Sequence, residues 1–278
     1  MKVSVTKADG SRQPFDREKV TATCLRMGAS RRVANQVTTQ VERQLYEGIS
    51  TAKILTLIFK AMRRYLPGVQ HLVDLRKGLS LMNSKPEFEL FVQTVLAHHG
   101  FEVTPGQMVT GKCVEHEVDA IAKKDGLTYF VEAKHHAPYH SLTGLDESRI
   151  AQAVLEDVAD GFALGKHALK IDRAMIVTNT RFSDQARRYG ACKNILQIGW
   201  NSPEALSLQT LIERKQLYPV SCLKGLRDTT RASLVNAGIV LLQQLLETKP
   251  SVLARKTGLP LKTVRDLVDQ TKASMRAR

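Results

Sequence analysis

Two short stretches, Glu117-Val118-Asp119-Ala120 and Val131-Glu132-Ala133-Lys134, place acids and a lysine in strand-like segments. Side chains alternate across a strand, so Glu132 and Lys134 share one face, and Glu117 and Asp119 share a face of the first segment. Between them Lys123-Lys124-Asp125-Gly126 is a turn signal. The spacing therefore predicts a hairpin that brings Asp119 close to Glu132 and Lys134. Clustered carboxylates repel unless a cation neutralises them, and hard oxygen donors favour Mg²⁺. Such an ion keeps waters and clamps a phosphate. An ammonium beside it can orient or deprotonate the attacking water and stabilise charge in the transition state. Taken alone, the same residues also describe an exposed hairpin with scattered charges, or a salt bridge.

Flanking segments must position this cluster. Residues 86–96 have helical apolar spacing at Phe88, Val92, Val95 and Leu96, with Glu89 at the edge of the stripe. Gly100 ends that helix and an extended segment begins at Phe101. After Lys134 come a long helical pattern over 146–164, an apolar strand over 174–179, a short helix over 183–189 and a last strand over 195–198. His135, His136 and His140 follow the lysine, but no carboxylate stands at matching helical spacing, so a second metal is not expected.

This order and these motifs, over residues 86–200, resemble the Mrr-like restriction endonucleases of the PD-(D/E)XK superfamily. The resemblance rests on Phe88-Glu89, Val118-Asp119, Glu132-Ala133-Lys134 and Ile176-Val177-Thr178 with Phe182, Ser183 and Ala186. It implies that Asp119 and Glu132 are metal ligands, Lys134 the catalytic lysine and Glu89 an auxiliary acid, with Ala133 lending its carbonyl. Many Mrr-like members have Gln where this chain has Glu132, and the Glu strengthens the case for a metal.

The charge balance points to a nucleic-acid partner. Lys and Arg number 41 against 27 Asp and Glu, giving +14 and a pI near 9.8. Phosphate contacts by such residues dominate DNA affinity. The excess lies in residues 1–83 and 219–278, whereas the stretch between them has slightly more acids than bases. A near-neutral centre between basic flanks suits a metal site served by binding modules; basic faces also simply keep a protein soluble. Cys24, Cys113, Cys192 and Cys222 lie far apart with no Cys-x-x-Cys pair. That argues against a zinc ribbon or a disulfide framework and leads to the expectation of a reducing, cytoplasmic setting. No apolar run is long enough to span a membrane, and no apolar signal core opens the chain.

The N-terminal segment has its own pattern. Val3, Val5 and Lys7 alternate into an Asp9-Gly10 turn, and the chain returns through Ser11 to Phe15. Asp16 is a candidate cap for a helix beginning at Arg17, a second helix is expected over 30–45, and Ser50 or Thr51 caps a third. The expectation is a small hairpin on a helical bundle. Over residues 3–81 this resembles an ATP-cone, the nucleotide-sensing domain of ribonucleotide reductases and their repressor. Val5-Thr6-Lys7-Ala8-Asp9-Gly10, Phe15-Asp16-Arg17-Glu18-Lys19-Val20, Gly48 to Ile54 and Tyr65 carry the match. The resemblance implies ATP or dATP as an effector, with Lys7, Lys19 and Thr51 as its contacts. Ala8 stands where family members commonly have Arg, which removes one phosphate contact. No Gly-x-x-x-x-Gly-Lys-Ser/Thr loop is present, so a P-loop ATPase is not expected.

From about Pro219 the spacing is helical throughout. Val252 to Lys256, the Thr257-Gly258-Leu259 turn and the helix opened by Pro260 resemble a helix-hairpin-helix module, with a second copy suggested around Gly225 and Gly238. Such turns bring backbone N–H groups to a DNA phosphate. The resemblance implies DNA contacts at Gly258, Lys256, Lys262 and Arg265. A helical packing domain with a solvated basic face is the alternative.

The expected fold is therefore α/β and multi-domain. An ATP-cone over 1–84, mostly helical with a β-hairpin, precedes a restriction-endonuclease-like mixed-sheet core over 85–205. An all-α helix-hairpin-helix domain over 206–278 follows. The expected function is Mg²⁺-dependent DNA cleavage regulated by ATP or dATP. Alternatives are a structure-selective repair nuclease and a non-catalytic, nucleotide-responsive DNA-binding regulator. A homo-oligomer is expected by analogy only.

Overall fold

The computed structural model describes residues 3–8 and 10–275, in two compact units. One comprises Met1–Asp74, Cys222–Ser233 and Leu242–Arg278; the other comprises Leu75–Ser221 and Leu234–Leu241.

In the first unit β1 (Ser4–Thr6) pairs antiparallel with β2 (Arg12–Pro14). Asp9, expected in the turn between them, lies outside the described residues. Asp16 caps α1 (Arg17–Arg26) as its position suggests, accepting from the N–H groups of Glu18 and Lys19. Ser30 caps α2 (Arg31–Glu42) in the same way. That helix stops at Glu42 and does not run to Leu45, because the chain turns there toward a strand absent from the sequence expectation. That strand, β3 (Ile49–Ser50), lies parallel to β1 with Ile49 opposite Val5. The expected hairpin is present, and β3 extends it to a three-stranded sheet ordered β2-β1-β3. Ser50 then caps α3 (Thr51–Met62). Val5 and Ile49 from the sheet join Val20, Val37 and Ile58 from the helices in one core.

The second unit opens with α4 (Leu75–Ser80) and a π-helical segment, Ser84–Phe88, that runs into α5 (Glu89–His98). Then come β4 (Glu102–Thr110), β5 (Glu115–Lys124) and β6 (Leu127–Lys134). Asp125 (φ 51°) and Gly126 (φ 77°) turn β5 into β6. This left-handed pair matches the twist of a tight hairpin, so the Lys-Lys-Asp-Gly signal does what its chemistry dictates. After β7 (Leu142–Thr143), α6 (Leu145–Ala163) crosses over to β8 (Arg173–Thr178), which lies parallel to β6. β9 (Arg181–Phe182), α7 (Asp184–Cys192) and β10 (Leu196–Ile198) follow. The result is a mixed five-stranded sheet ordered β10-β8-β6-β5-β4, with β7 and β9 forming a small second sheet. Parallel pairing in the middle requires burial on both faces, and Ala174 to Val177 of β8 are at most 1% exposed. Phe88, Phe91, Val92, Val95 and Leu96 bury the helical stripe read from the sequence. On α6, Ala151 and Val158 pack with Val118, Ile121, Phe130 and Ile176 of the sheet. α8 (Leu208–Lys215) follows.

The remaining helices are α9 (Asp228–Asn236), α10 (Leu242–Glu247), α11 (Pro250–Thr257) and α12 (Leu261–Met275). Gly258 ends α11 in the left-handed conformation (φ 69°), which glycine adopts without strain. In the first unit α12 lies so close to the Pro67–His71 turn that a Cβ on Gly68 would stand 1.9 Å from the Ala273 carbonyl oxygen.

Candidate active site

β5 and β6 carry the cluster, as the alternation requires, but Asp119 sits at an irregularity in the sheet. On the β4 side, Pro105 pairs with Ala120 and Gln107 with Val118, leaving out Gly106 and Asp119. On the β6 side, pairing stops at Ala120 and Val131. The backbone groups freed at Asp119 find other partners, as buried polar groups must. Gln93 on α5 donates from Nε2 to the Asp119 carbonyl at 2.8 Å. The N–H of Ala133 donates to Asp119 Oδ2 at 2.7 Å. The carboxylate therefore replaces a rung of the ladder and is fixed between α5 and the Glu132-Ala133-Lys134 segment. Gly106 permits this, since a Cβ there would lie 2.8 Å from the Val118 carbonyl oxygen.

The acids divide between two ammonium groups. Lys134 Nζ stands 2.8 Å from Glu132 Oε1 and 3.3 Å from Glu147 Oε2, in the first turn of α6. Lys85 Nζ stands 3.0 Å from Glu117 Oε1, 3.3 Å from Glu89 Oε1 and 3.8 Å from Asp119 Oδ1. Asp119, Glu132, Lys134 and Glu89 thus lie in one region. Lys85, Glu147 and Gln93 join them without having been singled out in the sequence. Only the periodic helix at 86–96 hinted at Gln93, one turn beyond Glu89.

Charge in the site is unbalanced toward the carboxylates. Burial pushes the Glu132 carboxyl above its ordinary value, and the nearby Asp119 and Glu147 add to this against the hydrogen bond from Lys134. Glu89 rises for the same first reason, with Asp119 next and Lys85 opposing. Burial works against the Lys134 ammonium, but Glu132 and Glu147 outweigh it and hold its pKa above the usual range. Lys85 is raised chiefly by Glu117, so both lysines are charged at neutral pH.

Histidines after Lys134 hold the frame. His135 Nε2 donates to the Leu79 carbonyl at 2.9 Å, and its ring packs 5.2 Å from that of Phe88. His136 exchanges backbone hydrogen bonds with the Asn179 side chain, both 2.8 Å. Burial lowers the pKa of both rings and favours their uncharged form. On α6, Asp157 accepts from His116 at 2.8 Å and from the N–H of Cys113 at 2.9 Å. The β4–β5 loop is thereby pinned to the helix that supplies Glu147.

Among the described residues no three His, Cys, Asp or Glu side chains converge closely enough to hold a metal ion as they stand. The donors nevertheless fit a hard divalent cation. They are oxygens only, two of them have their pKa raised by burial and mutual repulsion, and the cation already among them is a lysine on a side chain 58% exposed.

In the first unit, Lys19 and Thr51 line one mostly apolar cavity of about 210 Å³, with Gln13, Asp16 and Thr23 beside Val5, Phe15, Val20, Ile54, Leu55 and Ile58. Lys19 Nζ lies 3.6 Å from Asp16 Oδ2. Lys7 is exposed and is not among the residues lining that cavity. At the far end of the chain Lys256, Lys262 and Arg265 are all exposed around the Gly258 turn.

Residues 80–198 match a family of restriction endonuclease catalytic domains, Mrr_cat. Residues 3–81 match the ATP cone domain, and residues 218–273 match the AF1548-like C-terminal family. The central domain is accordingly a restriction-endonuclease-type nuclease domain with an ATP-cone domain ahead of it. No helix among the described residues is long and apolar enough to cross a membrane. An uncharacterized protein of Archaeoglobus fulgidus is 35% identical over 179 residues, covering 64% of this chain and 96% of the relative. The solved structure of AF1548, a protein of unknown function, superposes with a TM-score of 0.59 at 31% identity, covering 72% of this chain and 97% of that one. Can2 from Sulfobacillus thermosulfidooxidans, solved with cyclic tetra-adenylate, reaches only 0.33 at 13% identity, covering 72% of this chain and 55% of that one. On identity and coverage together, the chain belongs to the AF1548-like family, as a member in which an ATP cone precedes an Mrr-type restriction endonuclease domain.

Proposed function

We propose that this chain hydrolyses phosphodiester bonds of DNA with the help of a divalent cation, Mg²⁺ by donor chemistry, and that ATP or dATP in the cone regulates the cutting. The carrying observation is Asp119, fixed against the N–H of Ala133, beside a Glu132–Lys134 pair at 2.8 Å in an Mrr-type domain. Asp119 and Glu132 would hold the cation, with Glu89 supporting them and the Ala133 carbonyl as a further oxygen donor. Bound there, the cation supplies Lewis-acid polarisation of a phosphoryl oxygen and a more acidic water. Lys134 orients the attacking water and places positive charge where negative charge develops. Glu147 keeps the ammonium in place. The site's own carboxylates repel DNA, so affinity must come from elsewhere. The basic Gly258 turn with Lys256, Lys262 and Arg265 suits phosphate contacts, which position without reading sequence. Two copies acting together would cut both strands. Supercoiled plasmid should be nicked or linearised with Mg²⁺, and chelation should stop this until excess Mg²⁺ is restored. Cutting that continues in chelator removes the cation from the account. Linear, methylated and branched duplexes assayed side by side separate a restriction-type from a structure-selective substrate.

For the cone, the mostly apolar cavity suits the base and sugar of a nucleotide, and Lys19 with Thr51 supplies the contacts to its phosphates, Lys19 through a charge-assisted bond. Lys19→Ala is expected to weaken ATP binding by about 10- to 100-fold, the loss of one such contact. Calorimetric titration measures it, and unchanged affinity would place the nucleotide elsewhere.

A further inference from the structure

Lys85 lies outside the Asp119, Glu132 and Lys134 motif, yet its ammonium is the one set among Glu89, Glu117 and Asp119 at 3.0–3.8 Å. Lys134 touches neither Glu89 nor Asp119; its acids are Glu132 and Glu147. The two lysines therefore serve different halves of the cluster.

The segment bearing Lys85 is held in place. The N–H of Asn83 donates to Glu87 Oε2 at 2.9 Å, the N–H of Phe88 donates to the Asn83 carbonyl at 3.0 Å, and Ser84 Oγ lies 3.4 Å from His135 Nδ1. His135 directly follows Lys134, so the backbone under Lys85 is tied to the end of β6. The side chain itself is 58% exposed, whereas that of Asp119 is 9% exposed. The base is fixed and the stem runs through solvent, so the ammonium can leave the acids without disturbing the core.

We propose that Lys85 is the built-in counter-cation of this site, and that a divalent ion binds by displacing its ammonium from Glu89, Glu117 and Asp119. A single charge on a lysine only partly neutralises these acids together with Glu132. A divalent ion neutralises them more fully, and in its absence the lysine offsets part of the carboxylate repulsion. Metal affinity is then the difference between two cations' interactions with the same oxygens. The inference rests on the metal reading above.

The test is titration of DNA-free, full-length protein with Mn²⁺ alone, following the electron paramagnetic resonance signal of the free ion. Wild type is compared with Lys85→Gln, Lys85→Arg and Asp119→Asn, and thermal melting confirms that each variant is folded. Lys85→Gln should bind Mn²⁺ about tenfold more tightly than wild type, a figure kept modest because the ammonium is solvent-screened. Lys85→Arg, which keeps the charge, should bind no more tightly than wild type. Unchanged or weaker binding by Lys85→Gln, with wild-type binding still lost in Asp119→Asn, overturns the counter-cation role and leaves the metal site standing. Equal tightening by Gln and Arg also overturns it, since charge would not be the cause. Absence of Asp119-dependent binding in every protein overturns the metal reading and this inference together.

Discussion

Replacing Lys134 with alanine should lower the rate of DNA cleavage by about 10²–10⁴-fold, the usual contribution of a positioned proton-transfer or charge-stabilising group. The geometry explains why the loss should be large. Lys134 is the ammonium paired with Glu132, and Glu147 holds it from α6. Burial disfavours its charge, yet the two carboxylates keep it protonated, so the positive charge is present in the resting site. Alanine removes that charge and leaves Glu132 and Glu147 facing each other. DNA affinity should stay within about threefold, because phosphate contacts from basic surfaces set it. Single-turnover cleavage at saturating protein, with a gel-shift titration alongside, reads both quantities. Full cutting by the variant would remove Lys134 from the chemistry.

Phe91→Ala is expected to destabilise the nuclease unit by about 3–5 kcal/mol, the range for deleting a buried aromatic and leaving a cavity. Phe91 is 0% exposed and lies on α5 between Glu89 and Gln93, 6.4 Å from the ring of Phe88. The helix it anchors supplies both the auxiliary acid and the amide that takes up the Asp119 carbonyl. Urea denaturation followed by fluorescence of Trp200, the single tryptophan, reports on this unit. A midpoint unchanged from wild type would mean that α5 is not held by this side chain.

The period-2 and period-3.6 patterns made much of the nuclease unit legible. The β5–β6 hairpin, the helix over 86–96 and the order of later strands and helices follow from apolar spacing and one Asp-Gly turn. So does the meeting of Asp119 with the Glu132 segment, because alternation and a short turn leave little choice of register. The rest depended on contacts between distant residues. β3 is two residues long and exists only because Val5 and Thr6 lie beside it. The break in both ladders at Asp119 needs Gln93 from α5 and room at Gly106. Lys85 and Glu147 enter from a segment before α5 and from α6, and no local pattern marks a charged residue that will reach a site across the fold. Lys7 lies in the same nucleotide-type stretch and does not line the cavity that Lys19 and Thr51 share.

The most direct test of the central claim is cleavage of closed-circular plasmid in Mg²⁺ by wild type and by Glu132→Ala at equal concentration. The account predicts nicked or linear product from wild type and none above background from Glu132→Ala, with DNA binding intact in both. Equal cutting by the two proteins would contradict it and place the hydrolytic centre away from Asp119, Glu132 and Lys134.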